Sequence, residues 1–287
     1  MSKFLSQIAA RINVCEFLDY KVFLRALYHE AKKLKTPYTY VIFTEELGLG
    51  SSNLMNLVVN GQRRLSQKNA QVIIASLGLV LERRRYFLKL VELDLRRNLK
   101  RREAALEKII EIRSESIPDQ HTRRQLEFYS HWLHSVVFEM IALDNTSHES
   151  GTLAHRLIPH AGADEVQASL TLLTELGLIT LDEKTGKYTK NQSHFIMDDK
   201  IQNLGPLAFH NKMIELARDA LVRVAEDERD ISSMTLAVPR SSIPRLKSLV
   251  ENFQNDILRI AEDFTEHDEV YQINIQLFPL TTEKKRK

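Results

Sequence analysis

The chain has 287 residues, 43% of them hydrophobic and 27% charged, with 9 glycines, 7 prolines and a single cysteine. That is the length of two or three compact domains and the composition of an ordinary globular protein. No apolar run approaches the roughly 18 residues needed to cross a membrane, and Met1–Gln7 lacks the apolar centre of a secretory signal. Cys15, being alone, cannot close an intramolecular disulfide, so a cytoplasmic location is expected.

The net charge of +2 conceals a division. Residues 1–113 carry 21 Lys/Arg against 11 Asp/Glu, whereas residues 114–283 carry 15 against 27. A basic half joined to an acidic half is the profile of a polyanion-binding head on a non-binding body.

Apolar residues recur mostly at helical spacing, which predicts a mainly α protein. A first helix is expected over about 14–35, from Phe17, Leu18, Val22, Phe23, Leu24 and Leu27, with Pro37 ending it. A second covers Tyr40–Leu47 and breaks at Gly48-Leu49-Gly50. A third starts at a Ser51 or Ser52 N-cap and runs to Asn60, where Gly61 closes it. Ser66 caps a fourth that ends near Gly78. From Leu81 to about Arg113 the pattern predicts one long connecting helix.

Ser114–Pro118 reads as a domain boundary, followed by a helix over about Asp119–Leu143. Residues 151–190 then show helix, turn, helix (Asp164–Leu176) and a two-stranded hairpin around Asp182–Gly186, the outline of a winged helix. The last part reads as helix (206–226), strand (Met234–Val238), helix (242–264) and strand (Val270–Phe278). This α+β strand-helix-strand run would place its strands parallel. The domains expected are 1–80, a helix-turn-helix; 81–117, the connecting helix; 118–195, helical and winged-helix-like; 196–280, an α/β dimerisation or sensing region; and 281–287, a disordered basic tail.

The functional reading rests on the second and third helices. In a helix-turn-helix the later helix lies in the major groove and its exposed residues meet base edges. With Leu54, Leu57 and Val58 facing inward, Ser51, Ser52, Asn53, Asn56 and Asn60 would form a short polar outer set able to bond bases or phosphates. Gln62, Arg63, Arg64 and Lys68 follow where the chain would cross the phosphate backbone and supply salt-sensitive affinity.

The string Gly48-Leu49-Gly50-Ser51-Ser52-Asn53-Leu54-Met55-Asn56-Leu57-Val58-Val59-Asn60-Gly61-Gln62-Arg63-Arg64-Leu65-Ser66 resembles the head of a two-domain bacterial family of transcriptional regulators, with an N-terminal helix-turn-helix and a C-terminal domain of unknown function. The likeness resumes at Tyr86–Val91, at Leu170–Ile179, at Arg229–Leu236 and at Val270–Leu280. It implies a repressor-like helix-turn-helix bundle. The chain departs from the family's Gly-Lys-Arg-Asn-Leu-Ser and from a lysine within the recognition helix: Gln62, Arg64 and Asn56 stand there, removing two charges and adding one.

The expected function is therefore that of a sequence-specific DNA-binding regulator of transcription, a homodimer on double-stranded DNA, with an effector or protein partner left open and no membrane partner. The alternative is a protein-interaction adaptor with degenerate helix-turn-helix modules. The second helix-turn-helix-like unit has Asp164, Glu165 and Glu175 and no Lys or Arg on its last helix, which fits an interaction module better than a second reader, although Lys184, Lys187 and Lys190 lie on its wing. No enzyme, metal or cofactor is expected. His148, His155 and His160 follow no ligand spacing, and no phosphate loop, Gly-x-Ser-x-Gly or dinucleotide fingerprint occurs.

Overall fold

The computed structural model describes residues 3–95, 99–191 and 204–281; the basic run 284–287 and the expected boundary near 195 lie outside them. The described residues are mainly helical, with two short strands. They fall into two compact units, residues 1–130 with 196–208, and residues 131–195 with 209–287.

In the first unit the helices are α1 (Lys3–Arg11), α2 (Tyr20–Leu34), α3 (Tyr40–Glu46), α4 (Leu54–Val59), α5 (Gln67–Leu77), α6 (Leu81–Leu95), α7 (Leu99–Ser116) and α8 (Gln120–Ser130). The expected helix over 14–35 starts six residues late. Asp19 takes the amide of Lys21 at 2.8 Å and is the N-cap, while Val14–Glu16 form only a 3₁₀ turn. α1 was not foreseen: Leu5, Ile8 and Ala9 are its buried face, and it packs on α2 and α5. The core is aromatic at its centre. Phe87 lies edge-on to Tyr20 at 6.3 Å and to Phe23 at 6.0 Å, and all three are fully buried.

The expected single helix over 81–113 is two helices, α6 and α7, which pack on each other. Leu90 and Val91 of α6 are buried, as are Leu106, Ile109 and Ile112 of α7. A continuous rod would hold these stripes in water; folding back buries both, at about 1.5–3 kcal/mol per large side chain. Cys15 is 5% exposed and its burial pushes the thiol pKa up, so it behaves as a small apolar residue.

In the second unit the helices are α9 (Trp132–Met140), α10 (Ser150–Arg156), α11 (Ala163–Glu175), α12 (Leu204–Arg223, whose first turns belong to unit 1) and α13 (Ile243–Glu262). The expected Asp119–Leu143 helix is thus interrupted at His131, which has extended backbone and takes the amide of Leu133 on Nδ1. Strands β1 (Ile179–Asp182) and β2 (Lys187–Lys190) form an antiparallel hairpin in which Thr180 faces Thr189. Asp182 shapes the turn by accepting from Lys184 N and Thr185 Oγ1, both at 2.9 Å, and Gly186 supplies the φ of +67° that the turn needs.

The strand-helix-strand expectation holds only for its helix. Residues 231–238 and 270–278 are irregular, and among the described residues neither makes a main-chain hydrogen bond to another main-chain group. A strand exists only through a partner ladder, and among the described residues neither segment meets one. Their apolar side chains stay in water, Met234 at 82% and Ile273 at 54% exposure.

Candidate nucleic-acid interface

The site predicted from sequence lies wholly in the first unit, on α3, α4 and the turn into α5. Thr39 opens α3 by accepting from Ile42 N at 3.4 Å, and Thr44, buried within it, returns its hydroxyl to Tyr40 O at 2.6 Å. Gly48 ends the helix at a φ of +74°, a conformation that glycine adopts without strain. Ser51–Asn53 form the following turn, and Leu54 N bonds Ser51 O at 2.9 Å. Neither serine caps α4: Asn53 occupies the N-cap position and makes no side-chain cap bond. The N-cap is therefore one or two residues later than the sequence suggested.

α4 buries Leu54, Met55, Val58 and Val59 and half-buries Leu57. Its opposite edge holds three asparagines joined in a ladder. Asn56 Nδ2 donates to Asn53 Oδ1 at 3.1 Å, and Asn60 Nδ2 donates to Asn56 Oδ1 at 2.8 Å and to Asn56 O at 2.9 Å. Asn53 and Asn60 are exposed and Asn56 is intermediate; Ser51, Ser52, Gln62, Arg63, Arg64 and Lys68 are all exposed. The positions at i, i+3 and i+7 share one helix face, which is why the three amides meet.

Several groups that hold this surface in place were missed by sequence reasoning. Leu57 O accepts from both Gln62 N (2.8 Å) and Arg63 N (3.1 Å), closing the turn in which Gly61 has a φ of +73°. Arg25 of α2 donates from Nη2 to Val59 O at 2.6 Å, satisfying a carbonyl at the end of α4. Tyr20 is fully buried; its hydroxyl accepts from Leu65 N at 3.1 Å and donates to Asp94 Oδ2 at 2.8 Å. Lys21 Nζ meets the other oxygen of Asp94 at 2.7 Å. Partial burial pushes the Asp94 carboxyl up, but hydrogen bonds from Lys21 and Tyr20, with the charges of Lys21 and Arg64, outweigh it and hold its pKa below the ordinary value. The Tyr20 phenol is raised, chiefly by burial. The Asp19 cap and Gly61 leave local signals in the sequence; the Tyr20–Asp94 and Arg25–Val59 contacts join residues 74 and 34 positions apart.

In the second unit α11 exposes Asp164, Glu165 and Glu175 and carries no basic residue. Glu165 folds back on the amide of Gly162 at 2.7 Å. Of the hairpin lysines, Lys184 and Lys187 are exposed, while Lys190 pairs with Glu139 at 2.6 Å and lies 4.4 Å over the Phe138 ring. His148 accepts from Tyr188 N at 2.8 Å and is buried; His155 and His160 are exposed. Among the described residues no group of three His, Cys, Asp or Glu side chains is placed to hold a metal ion. No helix there is long and apolar enough to cross a membrane.

The molecule is thus a mainly helical protein whose basic head carries an asparagine-lined helix edge and whose second unit holds a hairpin behind two helices. Residues 113–280 match a domain of unknown function, DUF4423, and the chain belongs to that family. The match begins inside α7 and takes in α8 and nearly all of the second unit, leaving the basic head outside it. No curated protein and no solved structure matches the chain significantly.

Proposed function

We propose that the chain is a sequence-specific DNA-binding regulator of transcription, acting as a homodimer. α3 and α4 are its repressor-like helix-turn-helix and α4 is the helix that enters the major groove. The observation that carries the reading is the asparagine ladder on the open edge of α4, beside the exposed Arg63, Arg64 and Lys68. Asparagine amides present a donor and an acceptor together, the pairing that adenine N6 and N7 require, and arginine and lysine neutralise phosphates without regard to sequence. Residues 1–80 form the reader in this account. The unit α10–α11–β1–β2 has a winged-helix-like order, and with an acidic α11 and one hairpin lysine already paired it serves contacts other than DNA.

Fluorescence anisotropy with genomic fragments in moderate salt tests the proposal. A regulator binds some fragments at submicromolar concentration and at least about 1,000-fold more tightly than random duplex. Micromolar or weaker binding with no preference overturns it. The absence of Lys and Arg from α4 favours a second reading, a protein-interaction adaptor built on the same helices; that outcome would support it.

A further inference from the structure

The second unit leaves two kinds of surface uncovered. From Ile231 to Leu280, fifteen large apolar side chains each keep more than a third of their surface in water. At roughly 60–100 Å² apiece these side chains sum to on the order of 1,000 Å² of apolar area, against about 800 Å² per partner in a stable dimer. The second surface is polar: the main-chain groups of residues 231–238 and 270–278, which form no ladder among the described residues.

One of the two segments lies beside α13. Ile275 and Leu277 line a groove with Lys247, Val250, Glu251 and Gln254 of α13, so this part of 270–278 lies beside that helix. α13 buries no residue fully, yet it carries apolar residues at alternating three- and four-residue steps from Ile243 through Leu246, Val250, Phe253, Ile257 and Ile260. That period is the one by which a helix packs against another helix along its whole length. Phe253 and Ile260 are 53% and 57% exposed.

We infer that α13 and the segments 231–238 and 270–278 form a two-fold interface with a second copy of this chain, the segments pairing as strands across it. Three observations select a second copy. The area matches what a dimer needs. Each chain brings two segments of similar length, without a ladder among the described residues and ended by Pro239 and Pro279, so two copies can give each segment a partner strand. And neither 231–239 nor 270–280 holds a charged residue, in a chain that is 27% charged. Exposed strand edges are ordinarily guarded by lysine or another charge; uncharged ones lie against their own copies with no like charges opposed.

The inference rests on the dimeric reading above and deepens it by naming the interface. The test uses the full chain. Sedimentation velocity should give twice the 33.2 kDa chain mass, and hydrogen exchange should show protected amides in 231–238 and 270–278. The double variant Phe253→Asp, Ile260→Asp should raise the dimer dissociation constant at least about 100-fold and strip that protection. Its circular dichroism should stay unchanged, because both side chains are half in water in the single chain. A wild-type monomer at tens of micromolar, a dimer that the variant leaves intact, or a dimer with fast-exchanging amides in both segments each overturns the inference. Binding of a half-site duplex, measured in parallel, separates the two claims. The predicted dimer without DNA binding supports the interface and overturns the regulator; a monomer that binds DNA selectively does the reverse.

Discussion

The hydroxyl of Tyr20 joins Leu65 N, at 3.1 Å, to Asp94 Oδ2, at 2.8 Å, and so ties the turn beyond α4 to the last turn of α6. One buried oxygen holds the basic edge of the head to its core. Tyr20→Phe keeps the ring and its packing on Phe87 but leaves Leu65 N and one side of Asp94 unmatched. Removing one partner of a buried bond costs about 1–3 kcal/mol. Urea denaturation should show that loss, and DNA affinity should fall without a change in preferred sequence.

Arg63 and Arg64 are exposed beside α4 and, in the proposed mode, lie over phosphates. Replacing both by Gln should weaken binding to every duplex alike and reduce the slope of log K against log salt by about two. Salt titrations on a preferred and a random duplex check this. An unchanged slope would place these side chains away from the DNA.

Gly61 has a φ of +73° and open space where a Cβ would stand. Gly61→Ala therefore tests conformation alone. It should destabilise the head by about 1 kcal/mol, seen as a lower urea midpoint at constant m-value.

His134 of α9 is buried, and its Nδ1 lies 2.9 Å from Ser169 Oγ on α11. Burial, with a smaller effect of His131, lowers its pKa from 6.5 to about 4. The unfolded chain then takes up this proton at a higher pH than the folded one. Stability is unaffected above pH 6.5, falls as the pH drops from 6.5 to about 4, and levels off below, for a total of about 3 kcal/mol. His148, lowered by burial and by Lys187, adds in the same direction. In His134→Gln the slope of stability against pH across this window should be markedly flatter; an equal slope would assign the acid sensitivity to other groups.

Local chemistry in the sequence was legible where one residue decides the outcome. Ser66 does cap α5, accepting from Asn69 N at 3.2 Å, and Gly78 does end it in the left-handed region. The hairpin at Asp182–Gly186 forms as its turn residues require. Long-range relations were not legible. The apolar periods of α6 and α7 describe equally well one rod and two helices folded together, and only their mutual packing distinguishes the cases. Tyr20 and Asp94 look like unrelated residues until the core brings them together. In 270–278 the alternation of Ile273, Ile275 and Leu277 with Gln272, Asn274 and Gln276 predicts a strand, yet the segment is irregular and leaves all three apolar side chains exposed, because among the described residues no neighbour forms a ladder with it.

The claim that α4 reads DNA is tested most directly by selecting bound duplexes from a random pool, with the wild-type chain and with Asn56→Ala. The account predicts an enriched, two-fold symmetric motif for the wild type and relaxed preference at one or two positions of each half-site for the variant, with the rest of the motif retained. No enriched motif, or the same motif at every position from both proteins, would contradict it.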